Sequence, residues 1–211
     1  MTLVDIINFL KEWKELVGAA IGAFASILVA LLVAYDARRR EDVSAAMVLV
    51  GNLTSLIAAA SALEEKAAEA KVSDSDYPMW LASRLTSYRP QMSPLFEGCV
   101  ARLMPVDVQL AAHLEVFGVV YRSVEQHIER LTTDIEYFRE HKKLLRSEAD
   151  VRADAEVIRK GISMSAHHAN CAERSLTCLV LSHWPTWHRL RRLVRPTKEE
   201  RECKCLLLTG R

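Results

Sequence analysis

From Leu110 onward, apolar residues recur at alternating intervals of four and three: Leu110, Leu114, Phe117, Tyr121, Val124, Ile128, Leu131, Ile135 and Phe138. That spacing keeps one stripe of a helix facing a neighbour, as in a coiled-coil seam. A second series with the same alternation runs Val151, Ala155, Ile158, Ile162, Ser165, Ala169, Ala172, Leu176 and Leu179, and its middle is small. The charged stretch 142–147 separates the two. The pattern therefore predicts two long helices, each on the order of 36 residues or roughly 54 Å, folded as an antiparallel hairpin about residue 145. In that register Tyr121 falls opposite Ala169 and Phe117 opposite Ala172, large against small, as close packing requires.

Upstream, residues 44–63 carry no charge but are patterned. Ala46, Leu49, Val50, Leu53, Leu56, Ile57, Ala60 and Leu63 share a helical face, with Asn52, Ser55 and Ala59 opposite. This is the signature of a core helix in a bundle. A second membrane span is the competing reading, and the polar Asn52, Thr54 and Ser55 at its centre count against it. Residues 73–78 (SDSDYP) predict a break, and residues 79–104 two shorter helical pieces divided near Pro90–Pro94. Ser93 resembles an N-cap, Pro105 ends the second piece, and Asp107 can cap the long helix that begins just beyond it.

Residues 16–35 differ in kind. They are uncharged, ten of the twenty are Leu, Ile, Val or Phe, and no polar face is visible. Twenty helical residues span roughly 30 Å, the thickness of a bilayer core. Trp13 and Tyr35 flank the run, where aromatic side chains prefer the interface. A cleaved signal peptide fits poorly, because no small-x-small site closes the run and the amino-terminal charge is mixed. Arg38, Arg39 and Arg40 come at once after it, whereas Lys11 and Lys14 are diluted by Asp5, Glu12 and Glu15. The positive-inside bias then places the bulk of the chain in the cytoplasm, on the inner face of a cell membrane. Leu3, Ile6, Ile7, Leu10 and Trp13 share a face and predict an interfacial extension. Gly18, Gly22 and Ala25 form a small-residue surface suited to helix association.

The expected organisation is all-α: an interfacial helix (1–15), a single transmembrane helix (16–35), an antiparallel up-down cytoplasmic bundle (41–182) and a basic, aromatic tail (183–211). In the tail, Trp184, Trp187, Arg189, Arg191, Arg192 and Arg195 are interleaved with Leu190, Leu193 and Val194. Trp at an interface and Arg near anionic lipid make a membrane-surface contact coherent. The net charge of +1 argues against nucleic acid as a partner.

Composition adds little chemistry. The five cysteines, Cys99, Cys171, Cys178, Cys203 and Cys205, are odd in number and lack a framework spacing. Free thiols in a reducing compartment are expected. His167, His168, Cys171 and Cys178 offer zinc-compatible donors on one helix, but there is no CxxC pair, and they are read as structural. Arg122-x4-His127 is similar to the Arg-x4-His spacing of all-helical HEPN-type ribonuclease domains. On one continuous helix, however, the two would point about 140° apart. No catalytic residue, metal or cofactor is assigned. The expected role is non-enzymatic interaction or assembly at the lipid bilayer, with a protein partner or a homo-oligomer. A membrane-perturbing effector, using the anchor, the 44–63 run and the tail together, is the alternative.

Overall fold

The computed structural model describes residues 3–89 and 91–209, with side chains from Trp13 onward except at 15, 87 and 88. Seven α-helices account for most of them, and no strand occurs among the described residues. The helices are α1 (Leu3–Glu69), α2 (Tyr77–Tyr88), α3 (Phe96–Leu103), α4 (Val108–His141), α5 (Glu148–Leu176), α6 (Pro185–Val194) and α7 (Lys198–Thr209). A π-helical turn, Thr177–Leu181, comes directly after α5. The chain divides into two compact units, Met1–Asp42 and Val43–Arg211.

The backbone of α1 is unbroken through residues 36–40, where the pattern implied a junction. Nothing there stops a helix: no Gly or Pro intervenes, and Asp36 pairs with Arg40 one turn on at 2.7 Å. The side chains of Leu3, Ile6, Ile7 and Leu10, expected on an interfacial face, lie outside the described residues.

In the second unit, local chemistry fixes the helix ends. Lys71, with φ 46°, lies just past α1, and Pro78 sits in the first turn of α2. Ser93 does not cap α3. Its hydroxyl accepts from the Leu95 amide at 3.2 Å and its carbonyl from Phe96 at 2.9 Å, so the helix begins two residues later than expected. Asp107 does cap α4, accepting from the Leu110 amide at 2.8 Å. α4 ends on left-handed Lys142, and Ser147 caps α5.

Two apolar clusters form the core. Leu49, Leu53 and Leu56 of α1 meet Phe96 and Leu103 of α3, Leu110, Leu114, Phe117 and Tyr121 of α4, and Ala169, Ala172 and Leu176 of α5. Ala60 and Leu63 of α1 meet Leu81 and Leu85 of α2, Val124, Ile128 and Leu131 of α4, and Ile158 and Ile162 of α5. Burial of each large aliphatic contributes about 1.5–3 kcal/mol. The apolar face of 44–63 is thus packed inside the protein. Of the nine α4 seam positions, Phe138 alone is only half-buried.

The expected register of α4 on α5 is corrected. His113 meets His168, and His127 meets Asp154. Tyr121 lies eight residues beyond His113, about 12 Å along the helix, so it is not opposite Ala169, and Phe117 is likewise displaced from Ala172. Gly161 of α5 faces Val124 of α4 at this contact. A Cβ there would stand 2.3 Å from Val124 Cγ2, so the missing side chain is the notch that seats Val124. Two further tethers are polar. Asn52 donates to the Val48 carbonyl and accepts from the Ser93 amide, both at 2.8 Å. Arg89 reaches Glu125 and Glu129 at 3.2 Å.

Candidate functional site

The first candidate is the apolar surface of α1. Residues 16–38 are all exposed, among them Leu16 and Phe24 at 68%. Nothing lies within 4 Å of where a Cβ would stand on Gly18 or Gly22, and Ala25 is exposed beside them. The Ser26 hydroxyl donates to the Gly22 carbonyl at 2.9 Å, so even the polar group on this stretch is satisfied within the helix. Trp13 and Tyr35 are exposed at its two ends. Among the described residues this is the one helix long and apolar enough to cross a membrane, with mean hydropathy 2.6 over its 18-residue window. Soluble monomers rarely expose an apolar surface of this extent to water.

The second candidate is α6. Pro185 opens it, and Trp184, Trp187, Leu190, Leu193 and Val194 are exposed, as are Arg189 and Arg195. Arg191 and Arg192, expected at a membrane surface with them, instead turn toward the protein. Arg192 bonds Gln109 and lies 3.4 Å from Asp107, while Arg191 approaches Glu200 at 3.5 Å. Asp107 at the cap of α4 and Glu200 of α7 capture these two guanidinia, and both are only half-exposed. The tail accordingly continues into α7, Lys198–Thr209. Thr197 and Glu200 make a reciprocal capping box, with amide-to-side-chain bonds of 2.6 and 3.2 Å, and Glu199 pairs with Arg174 at 2.6 Å.

The third group is polar, two buried carboxylates with the half-buried Arg146 and His127. Arg146 bridges Asp134 and Asp154 at 2.5 Å each, and His127 bonds Asp154 at 2.7 Å. Burial would raise the Asp154 carboxyl, but the bonds from Arg146 and His127 outweigh it and hold the group below the usual carboxylate range. Arg122 is not part of this cluster. It pairs with Glu97 at 3.3 Å and donates to the Gly118 carbonyl, so the Arg122 and His127 of the Arg-x4-His spacing serve different neighbours.

The fourth group corrects the expectation of free thiols. Cys171 and Cys203 are joined as a disulfide between α5 and α7, while Cys99, Cys178 and Cys205 are free. The two sulfurs share their surroundings with His113, and ligand atoms of these three residues all lie within 4.8 Å of one another. His113 is buried, and its Nδ1 lies 3.0 Å from His168 Nδ1. Burial, then the neighbouring His168 and Arg192, push His113 down to about 4. His167, by contrast, is exposed, and Cys178 is a separate half-buried thiol. Sequence spacing could not find the His113, Cys171 and Cys203 set, because its members come from three helices.

No protein-family model, curated protein or solved structure matches the chain.

Proposed function

We propose that the chain is a single-pass membrane protein whose α1 anchors a non-enzymatic helical bundle that serves interaction or assembly. The observation that carries this reading is the exposed, uncharged surface of residues 16–35, with Arg38, Arg39 and Arg40 just beyond it. Bilayer lipid removes that surface from water, and the arginines favour retention of the residues after them on the cytoplasmic side of a cell membrane. The paired contacts His113 with His168 and His127 with Asp154 support an antiparallel, up-down arrangement of α4 and α5 within the bundle. The uncovered Gly18, Gly22 and Ala25 surface supports close association with a second membrane helix, from another copy or from a partner. The exposed Trp and Leu side chains of α6, with Arg189 and Arg195, suit a lipid headgroup region. A membrane-perturbing effector is the weaker reading, because the apolar face of 44–63 is spent on the core.

The test is fractionation with topology mapping. Deleting residues 1–40 should move the chain from the membrane fraction to the soluble one. Cys205 is an exposed free thiol, so a membrane-impermeant maleimide should label it in lysed cells and spare it in intact ones. Labelling in intact cells would reverse the orientation, and retention of the truncated chain in membranes would remove the anchor. Leakage from anionic vesicles on adding the full chain would favour the effector instead.

A further inference from the structure

We propose that, in the reduced protein, His113, Cys171 and Cys203 hold one divalent cation of the zinc class. Two thiolates and an imidazole are the donor set that zinc prefers, with metal–ligand distances of about 2.3 Å to sulfur and about 2.0–2.1 Å to nitrogen. The three ligand atoms already lie within 4.8 Å of one another. They are delivered by α4, α5 and α7, so a bound ion would tie the carboxyl-terminal helix to both long helices.

His113 is 1% exposed, and its ring lies against His168 and the backbone of Cys203, the residue that also carries one of the two sulfurs. His113 Nδ1 is occupied by His168 Nδ1 at 3.0 Å. One of the two must donate, and donation from His113 leaves its Nε2 with a lone pair for the metal. Ligating histidines are commonly held by such a bond at the other nitrogen. His168, also 1% exposed, is then a positioning residue. A groove of about 280 Å³ opens at the sulfurs, lined by Cys171, Cys203, Glu199, Glu202 and Arg174 among others. It supplies an access route and room for water as the fourth ligand.

The metal and the disulfide exclude each other. A dithiol or phosphine reductant gives two electrons to the S–S bond, which takes up two protons and becomes two thiols. The thiols release those two protons on binding the cation. A peroxide reverses this, taking two electrons from the two thiolates and being reduced to water as the S–S bond closes and the cation leaves; on the cytoplasmic placement proposed above, the metal form is the resident one.

The experiment uses the full chain in detergent micelles, reduced with a phosphine under anaerobic conditions and titrated with Co²⁺ as a spectroscopic stand-in for zinc. Thiolate-to-cobalt charge-transfer absorption and the visible bands of tetrahedral cobalt should saturate at one ion per chain. Zinc should displace them, and the oxidised protein should lack them. Cys171→Ser or Cys203→Ser should abolish this saturation, whereas Cys178→Ser and Cys205→Ser should keep it. His168→Gln should weaken binding about 10–100-fold with the band shape retained. Absence of the bands in the reduced chain, or unchanged saturation in Cys203→Ser, overturns the site. Should the Cys→Ser chains fail to fold, zinc protection of Cys171 and Cys203 from alkylation in the native chain decides, read by mass spectrometry. Equal alkylation with and without zinc refutes the proposal.

Discussion

Replacing Gly161 by alanine should destabilise the protein although alanine is the better helix former. The added Cβ would stand 2.3 Å from Val124 Cγ2, with Val124 Cβ at 3.7 Å and Val120 Cγ1 at 3.9 Å. Non-bonded carbons settle at about 3.5–4.0 Å, so the methyl intrudes by more than an ångström. Val124 is 1% exposed, and a helical valine has one strongly preferred rotamer. It therefore cannot swing the methyl aside cheaply. Overpacking of this kind costs about 1–3 kcal/mol. The helix-propensity gain of alanine over glycine offsets about 0.8–1 kcal/mol of that. The net loss is then on the order of 1 kcal/mol, which lowers the melting temperature of a unit this size by about 2–4 °C. In a Val124→Ala background the clash partner is gone, and Gly161→Ala should become stabilising by nearly the full propensity gain. The assay is thermal unfolding by circular dichroism of all four chains in one detergent. If Gly161→Ala stabilises the native background, or destabilises both backgrounds equally, the notch does not set the register.

Arg146→Met should cost about 3–5 kcal/mol, because it leaves the Asp134 and Asp154 carboxylates, 2% and 8% exposed, without their shared cation. A melting temperature within about 2 °C of the native chain would mean the carboxylates are solvated despite their burial. The same network fixes an acid response. Asp154 is depressed below its ordinary value of 3.8, so its contribution is complete above that pH and is lost as pH falls through the lower folded-state value. Unfolding midpoints should therefore show an Asp154-dependent drop only below about pH 4, and Asp154→Asn should flatten it. An Asp154-dependent change between pH 5 and 7 would contradict the assignment.

Several features of this chain are legible locally. The uncharged run 16–35 needs only its own composition to define an apolar helix, because a helix satisfies its backbone internally. The four-three alternations of 110–138 and 151–179 mark the faces that lie in the core, because side-chain direction along a helix is set by residue spacing alone. Asp107 caps α4 through a bond to an amide three residues away, another local matter.

The tertiary structure decided the relations between helices. Periodicity defines a face but not its register, which depends on fits between faces such as Val124 against Gly161. Arg191 and Arg192 resemble Arg189 and Arg195 in the sequence. They part ways only because Asp107 and Glu200 come within reach of one pair. The bridge of Arg146 to Asp134 and Asp154 forms across the α4–α5 turn and leaves no periodic trace. Cys171 and Cys203 meet each other, and meet His113, across 32 and 90 residues of chain. Spacing rules search within one helix, and these contacts exist only once three helices have packed.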